Sequence, residues 1–305
     1  MTPACIERAT NYFESGMSQV LAIDVGGTKV ASGVIDANGE VSNKSQIQTI
    51  ESISEPLYPR LLEMAKNTLQ KYSGAIEAIG VGCGGPAKNA YQLVSPLNIP
   101  EWRDFPLREK LEDDLQLPTY VDNDAKALAL AEGWVGTARN CSDFLAMVVS
   151  TGVGGGIVLN GTLLEGADGN AGHIGHVFVD PEGGEDANGV SGLLEGSASG
   201  SALHRALGFP AFEANDETRR KVGELVGRAV ASVANLLDLQ LAVVAGSVAL
   251  GFGDVFFEAA QSVIDELTKI DHAKGTKIVP SELADQGPLI GAGAVAFRAL
   301  GKINL

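Results

Sequence analysis

Basic residues are scarce in this chain, with 22 Lys and Arg against 38 Asp and Glu and a formal net charge of −16 over 305 residues. An acidic surface repels a phosphate backbone, which excludes nucleic-acid binding through a broad basic face. It does not exclude a mononucleotide, which backbone N–H groups can hold with its metal in a local pocket. Cysteine is scarcer still. Cys5, Cys83 and Cys141 are odd in number, widely spaced and without a Cys-x-x-Cys pair. That pattern excludes a disulfide framework and a zinc knuckle, and it suits a reducing cytoplasm. No uninterrupted apolar run reaches ~18 residues, so no membrane span is expected. The opening MTPACIERATNYFESGMSQ carries Glu7 and Glu14 and no apolar centre. Residues 1–19 are therefore expected to form an N-terminal extension and not a signal peptide. The pattern Gly-x-x-x-x-Gly-Lys-Ser/Thr is missing as well, which excludes a P-loop nucleotide site.

What is present is an ordinary globular composition, 45% hydrophobic and 20% charged, with 38 glycines gathered in short clusters between apolar runs. The length fits two lobes at ~100–200 residues per domain. The segment Val20–Val41 has an apolar run, the turn Gly26-Gly27-Thr28, a second apolar run and Asn38-Gly39, a hairpin-type turn. Phe144–Leu164 repeats the pattern, with a Gly/Thr turn and Asn160-Gly161. This internal echo predicts two lobes that each open with a β-hairpin. Helical spacing is found in Pro56–Tyr72, Arg108–Leu117, Ala125–Gly136, Thr218–Leu239, Phe252–Leu267 and Ile290–Gly301. Strands are predicted in Ala75–Ala87, Pro118–Ala125 and Gln240–Val248. The alternation implies an α/β fold with largely parallel central pairing, whose ligands bind at the carboxyl ends of the strands.

Three constellations carry chemistry. Asp24-Val25-Gly26-Gly27-Thr28-Lys29 is a glycine turn between strands, which lets backbone N–H groups reach a phosphate. Asp24 would hold hydrated Mg²⁺ there. Ser150-Thr151-Gly152-Val153-Gly154 is a second such turn. Val121-Asp122-Asn123-Asp124 lies between a strand and a helix, where a carboxylate can take a proton from an attacking hydroxyl. Helix capping is the competing role for Asn and Asp, and both roles can be filled by neighbours. The third is Gly172-His173-Ile174-Gly175-His176 with Glu195 further on. Imidazole and carboxylate suit sugar hydroxyls, which both donate and accept.

In these residues and their order the chain resembles the ROK family of repressors and sugar kinases, within the actin-like ATPase superfamily. LAIDVGGTKVASGVID is similar to the family's first phosphate motif, Asn123-Asp124 to its catalytic pair, STGVGGG to its second phosphate motif, AGHIGH to its sugar loop, VVAGSV to its adenosine motif and GPLIGAGAVA to its closing turn and helix. The resemblance implies an actin-like (ribonuclease H-like) α/β fold of two lobes with a central cleft. The small lobe is expected at 20–121, the large lobe at 122–289, and a C-terminal helix at about 290–305 packing back on the small lobe. It implies Asp124 as general base. Gly85, Asn98, Asn123, His173, His176 and Glu195 are then sugar contacts. Asp24, Gly26, Gly27, Thr28, Lys29, Thr151, Gly152 and Gly154 fall at phosphate and Mg²⁺, with Gly246 and Ser247 near the adenosine. A cytoplasmic homodimer using ATP and Mg²⁺ is the implied form.

Two departures matter. The family's zinc-binding cysteines are absent from Asp186–Leu193, so no structural zinc is expected. Hydrogen bonds and the packing of Leu193 and Leu194 should hold that loop instead, leaving His176 to the sugar. The second is His173, where glucokinases of the family carry Glu. An imidazole there resembles bacterial N-acetylmannosamine kinases and tilts the expected acceptor toward an N-acylhexosamine, with glucose the alternative. A family regulator would carry a winged helix-turn-helix before its first strand, and the nineteen residues here are too few for one.

Overall fold

A computed structural model describes residues 18–50, 55–186 and 188–305, and the expected extension at 1–19 lies almost wholly outside them. The chain forms two compact units. The first comprises residues up to Asn140 with Thr162–Ala171 and Leu283–Leu305, and the second comprises Cys141–Gly161 and Gly172–Glu282.

In the first unit, β1 (Gln19–Val25) and β2 (Lys29–Asp36) form the hairpin that the Gly/Thr turn predicts. Asp36 closes the next turn, accepting the amides of Asn38 and Glu40 at 2.9 Å each. The chain returns as β3 (Val41–Gln48), whose exposure alternates residue by residue as an edge strand requires. Helix α1 (Leu57–Gln70) leads to β4 (Ala78–Cys83), which lies parallel to β1. A small hairpin, β5 (Ala87–Lys88) with β6 (Leu93–Val94), and helix α2 (Leu107–Leu115) precede β7 (Thr119–Asn123), parallel to β4. The sheet order is β3-β2-β1-β4-β7. One face packs on α1 and α2 through Leu21, Ile23, Ile79, Val81, Leu61 and Leu111.

Helix α3 (Asp124–Trp134) follows β7 directly. The excursion Thr162–Ala171 contains the short strand β10 (Thr162–Leu163), and the second unit supplies β8 (Phe144–Val149) and β9 (Val153–Leu159) before it. In the second unit come α4 (Leu194–Ala198), α5 (Gly200–Leu207), α6 (Asp216–Leu237), β11 (Leu241–Ala245), α7 (Ser247–Leu267) and β12 (Lys277–Pro280). Its strands run β9-β8-β11-β12, antiparallel at the hairpin and parallel thereafter. This repeats the β2-β1-β4-β7 order of the first sheet, so the echo in sequence is an echo in topology.

The last helix, α8 (Gly287–Ala299), covers the other face of the first sheet through Leu289, Ala292, Ala296 and Phe297 and also packs on α3. That contact moves the division of the chain. The expected boundary after 121 falls after Asn140, because α3 is held by α8 within the first unit. The second unit ends at Glu282, not 289, and the first takes back Thr162–Ala171. Helix α7 is long and apolar enough, by length and composition, to cross a membrane, although no uninterrupted apolar run marks it. It packs along α6, with Gly223 against Phe256 and Gly227 against Ala260.

Candidate active site

In the first unit, Asp24 is the penultimate residue of β1, and the chain turns over Gly26, Gly27 and Thr28 into β2, where Lys29 is the first, exposed residue. Gly26 N donates to Lys29 O at 3.0 Å, and the Thr49 hydroxyl donates to Gly26 O at 2.7 Å. The turn is thus tied to the end of β3 as well as to itself. Gly27 is where the backbone comes closest to another expected site residue. A methyl there would lie 2.7 Å from Asn98 Nδ2, so only glycine lets the Asn98 loop seat against this turn.

The β7–α3 corner shows the capping role read from its sequence. Asn123 is the N-cap, its Oδ1 accepting the amides of Ala125 at 3.0 Å and Lys126 at 3.3 Å. Asp124 is the first helical residue, half-buried, with Oδ1 accepting Ala125 N at 2.9 Å. Gly85 lies beside this corner, a methyl on it falling 3.8 Å from Asn123 Nδ2.

Asp24 and Asp124 are brought together over Gly82, whose methyl would stand 3.8 Å from Asp24 Oδ1 and 3.6 Å from Asp124 Cα. Burial pushes the Asp24 carboxyl up to about 7, the Asp124 charge adds to the rise, and Lys29 opposes it. Burial also raises Asp124, against the Ala125 amide that favours its anion. A buried carboxylate raised by its own burial and by the charge of a second one is part of a hard-oxygen donor set of the kind that suits Mg²⁺, whose charge would offset both.

The second unit holds the other expected residues. The turn between β8 and β9 is Ser150-Thr151-Gly152, with Ser150 N donating to Gly152 O at 2.9 Å. Gly200 N at the start of α5 donates to Ser150 O at 2.7 Å, and Ser201 N to Thr151 O at 3.2 Å. Gly154 lies beyond the turn, in β9 opposite Val148. Gly246 and Ser247 open α7, and the Ser247 and Ser150 hydroxyls are 3.0 Å apart. Glu195 on α4 accepts Val153 N at 3.1 Å, and a methyl on Gly152 would lie 2.7 Å from its Oε1. Glu195 is thus seated against the second glycine turn.

His173 and His176 are exposed, their ring centroids 5.8 Å apart and edge to face. His176 is not left to a ligand alone, because its Nε2 lies 3.7 Å from Asp186 Oδ2. Asp186 organises the loop in which the zinc cysteines are missing. Its Oδ1 accepts the amides of Val190 and Asn188, both at 2.8 Å, and Oδ2 accepts Asn188 Nδ2 at 3.3 Å. Those bonds, that from Val190 first, hold its carboxyl below the usual range. Leu194, which follows the loop, is buried, and its amide donates to Val177 O at 3.0 Å.

Sequence reasoning passed over Lys126, which lies two residues from Asp124 and is 1% exposed. Two of its partners, Glu165 and Gly169, are 39 and 43 residues away, beyond the reach of a local pattern.

The ROK family's sequence pattern matches residues 20–299. The chain is 31% identical over 309 aligned positions to a glucokinase of Halalkalibacterium halodurans, covering 90% of this chain and 93% of that one. It is 35% identical over 253 positions to an N-acetylmannosamine kinase of Haemophilus influenzae, covering 76% and 82%. Among solved structures, a ROK family glucokinase of Streptomyces griseus in complex with glucose and AMPPNP superposes with a TM-score of 0.78 at 25% identity, over 90% of this chain and 98% of that one. With that match running from the first strand to the last helix, the chain belongs to the ROK family, and it is a sugar kinase on the actin-like ATPase fold.

Proposed function

We propose that the chain transfers the γ-phosphoryl group of ATP to the 6-hydroxyl of a hexose or N-acylhexosamine, with N-acetylmannosamine the leading acceptor. The observation that carries this reading is the carboxylate pair at the strand ends of the first unit. Asp124, raised by burial, is the proton acceptor for the attacking hydroxyl, since a base works best with its pKa moved toward the working pH. Asn123 holds that corner rigid through its cap and offers its Nδ2 to the sugar beside Gly85 and Asn98. Asp24 would hold Mg²⁺ through water, and the ion supplies charge neutralisation to the phosphates. The backbone amides of Gly26–Thr28 and of Thr151–Gly152 are assigned to phosphate, and Gly246–Ser247 to the adenosine. His173, His176 and Glu195 are assigned to the sugar hydroxyls. A cytoplasmic homodimer, as the resemblance implies, completes this reading.

The choice of acceptor rests on His173. An imidazole pairs differently from a carboxylate with the 1- and 2-positions of the sugar, and a 2-acetamido group presents its own donor and acceptor. Glucose is the second reading, supported by the glucokinase relative that covers 90% of the chain. A sugar-responsive regulator, the third, is disfavoured by the charge of −16.

A coupled kinase assay over N-acetylmannosamine, glucose, mannose, N-acetylglucosamine and fructose tests this. The expected outcome is a kcat/KM for N-acetylmannosamine about tenfold or more above the others. A glucose preference would transfer the assignment to the second reading. Absence of turnover on every sugar, with a shift of genomic DNA in a gel, would reject the kinase reading for the regulator.

A further inference from the structure

The mechanism above gives no task to Lys126, the third residue of α3. An ammonium leaves water only where anions and carbonyls replace its hydration. Lys126 Nζ donates to Asp122 Oδ1 at 2.9 Å, to Glu165 Oε2 and to Gly169 O at 3.1 Å. Glu165 Oε1 also receives Arg298 Nη1 at 2.6 Å, and Arg298 Nε donates to Leu305 O at 2.7 Å. Two carboxylates thus face two cations, and the network is neutral as a whole. Burial, which alone would raise Glu165, is outweighed by Lys126 and Arg298, so its carboxyl lies below the usual range. Asp122 is raised by its own burial, with Lys126 opposing the rise.

The acceptors lie on two stretches of chain. Asp122 is the penultimate residue of β7, immediately before Asn123 and Asp124. Glu165 and Gly169 bracket a loop that Ala171 N closes onto Glu165 O at 3.0 Å, and the chain then enters Gly172-His173. A buried ion pair adds little net stability over an apolar packing of the same volume, and its best-attested use is to fix one arrangement against others.

We propose that Lys126 is a positioning residue. It fastens the corner that carries Asn123 and Asp124 to the Glu165–Ala171 segment that feeds the histidine loop, and it governs sugar binding and not nucleotide binding. The proposal rests on the kinase reading. In the full chain, Lys126→Met and Glu165→Gln are each expected to raise the sugar KM about tenfold, with the ATP KM within about twofold of wild type. Because the Lys126–Glu165 interaction is common to both changes, the effect of the double variant should be smaller than the product of the two single effects.

A sugar KM unmoved in both variants, whatever the melting temperature does, would reduce the network to a structural ion pair and overturn the proposal. So would an equal rise in the ATP KM, or additive effects in the double variant. If Lys126→Met fails to fold, Glu165→Gln carries the test by itself, since that side chain is 45% exposed. A wild type inactive on every sugar would defeat the kinase reading and this inference with it. An active wild type with unmoved variants would defeat the inference alone.

Discussion

Asp124 and Asp24 flank Gly82 and are each raised by burial, yet different consequences follow from removing each. For Asp124, the proposed base, replacement by Asn keeps the size and the hydrogen bond from Ala125 and deletes the proton acceptor. We expect sugar and nucleotide dissociation constants within about threefold of wild type and a kcat lower by about 10²–10⁴-fold. Near-normal kcat in calorimetrically competent protein would reject the base assignment. Asp24 is a matter of charge and pH. Its folded carboxyl, at about 7, binds a proton that the unfolded chain releases near the ordinary Asp value. Between those two values the folded state holds more protons, so stability falls as pH rises and levels off above about 7. Asp24→Asn removes that dependence. Without Mg²⁺ the variant should melt higher than wild type at pH 8, by about 4 °C or more, and the gap should close at low pH as Asp24 protonates. Equal melting temperatures at pH 8 would show that burial does not raise this carboxyl. Activity should be lost in the same variant at every pH, since the group proposed to hold Mg²⁺ is gone.

At the scale of elements, the first sheet is held from behind by α8, and glycine spacing sets how closely. A methyl on Gly80 of β4 would lie 1.9 Å from Ala292 O, a backbone atom of α8. A methyl on Gly82, two residues along the same strand, would meet the Ala127 methyl at 3.6 Å, an ordinary contact. Gly80→Ala should therefore force α8 off the sheet and cost about 2–4 kcal/mol, read from denaturant unfolding, while Gly82→Ala should change stability by less than about 1 kcal/mol. Equal effects would mean that α8 does not sit where Gly80 requires it. Strands and turns were legible in the sequence because their signals are local. Asn-Gly and Gly/Thr turns mark both hairpins, and apolar periodicity marks α1, α3 and α6. The start of α7 was not legible. Helical spacing read from the sequence begins at Phe252, whereas the helix opens at Ser247 and absorbs Gly253 at φ 60°, ψ −146° as a bend. The division of the chain was hidden as well, because it depends on α8 meeting α3 across more than 150 positions.

For the whole molecule, the missing cysteines raise the question of what replaces metal-derived stability. In a zinc-stapled domain the ion supplies folding free energy outright, so a chelator lowers the melting temperature along with activity. Here the loop at Asp186–Leu193 closes through one carboxylate taking three hydrogen bonds, and the sequence offers no thiolate there. The stability of the chain and its catalysis should then respond differently to metal removal. Dialysis against 1,10-phenanthroline should leave the melting temperature within about 1 °C, where loss of a structural metal would cost several times that. EDTA should abolish turnover, and Mg²⁺ alone, without zinc, should restore it. Asp186→Ala supplies the complementary arm. It strips three hydrogen bonds from the loop and the acidic neighbour from His176, and it should lower the melting temperature by about 3–6 °C whether or not chelator is present. A fall in wild-type melting temperature with phenanthroline, reversed by zinc, would mean that the histidines and Asp186 still recruit the metal without sulfur, and that hydrogen bonds alone do not hold the loop.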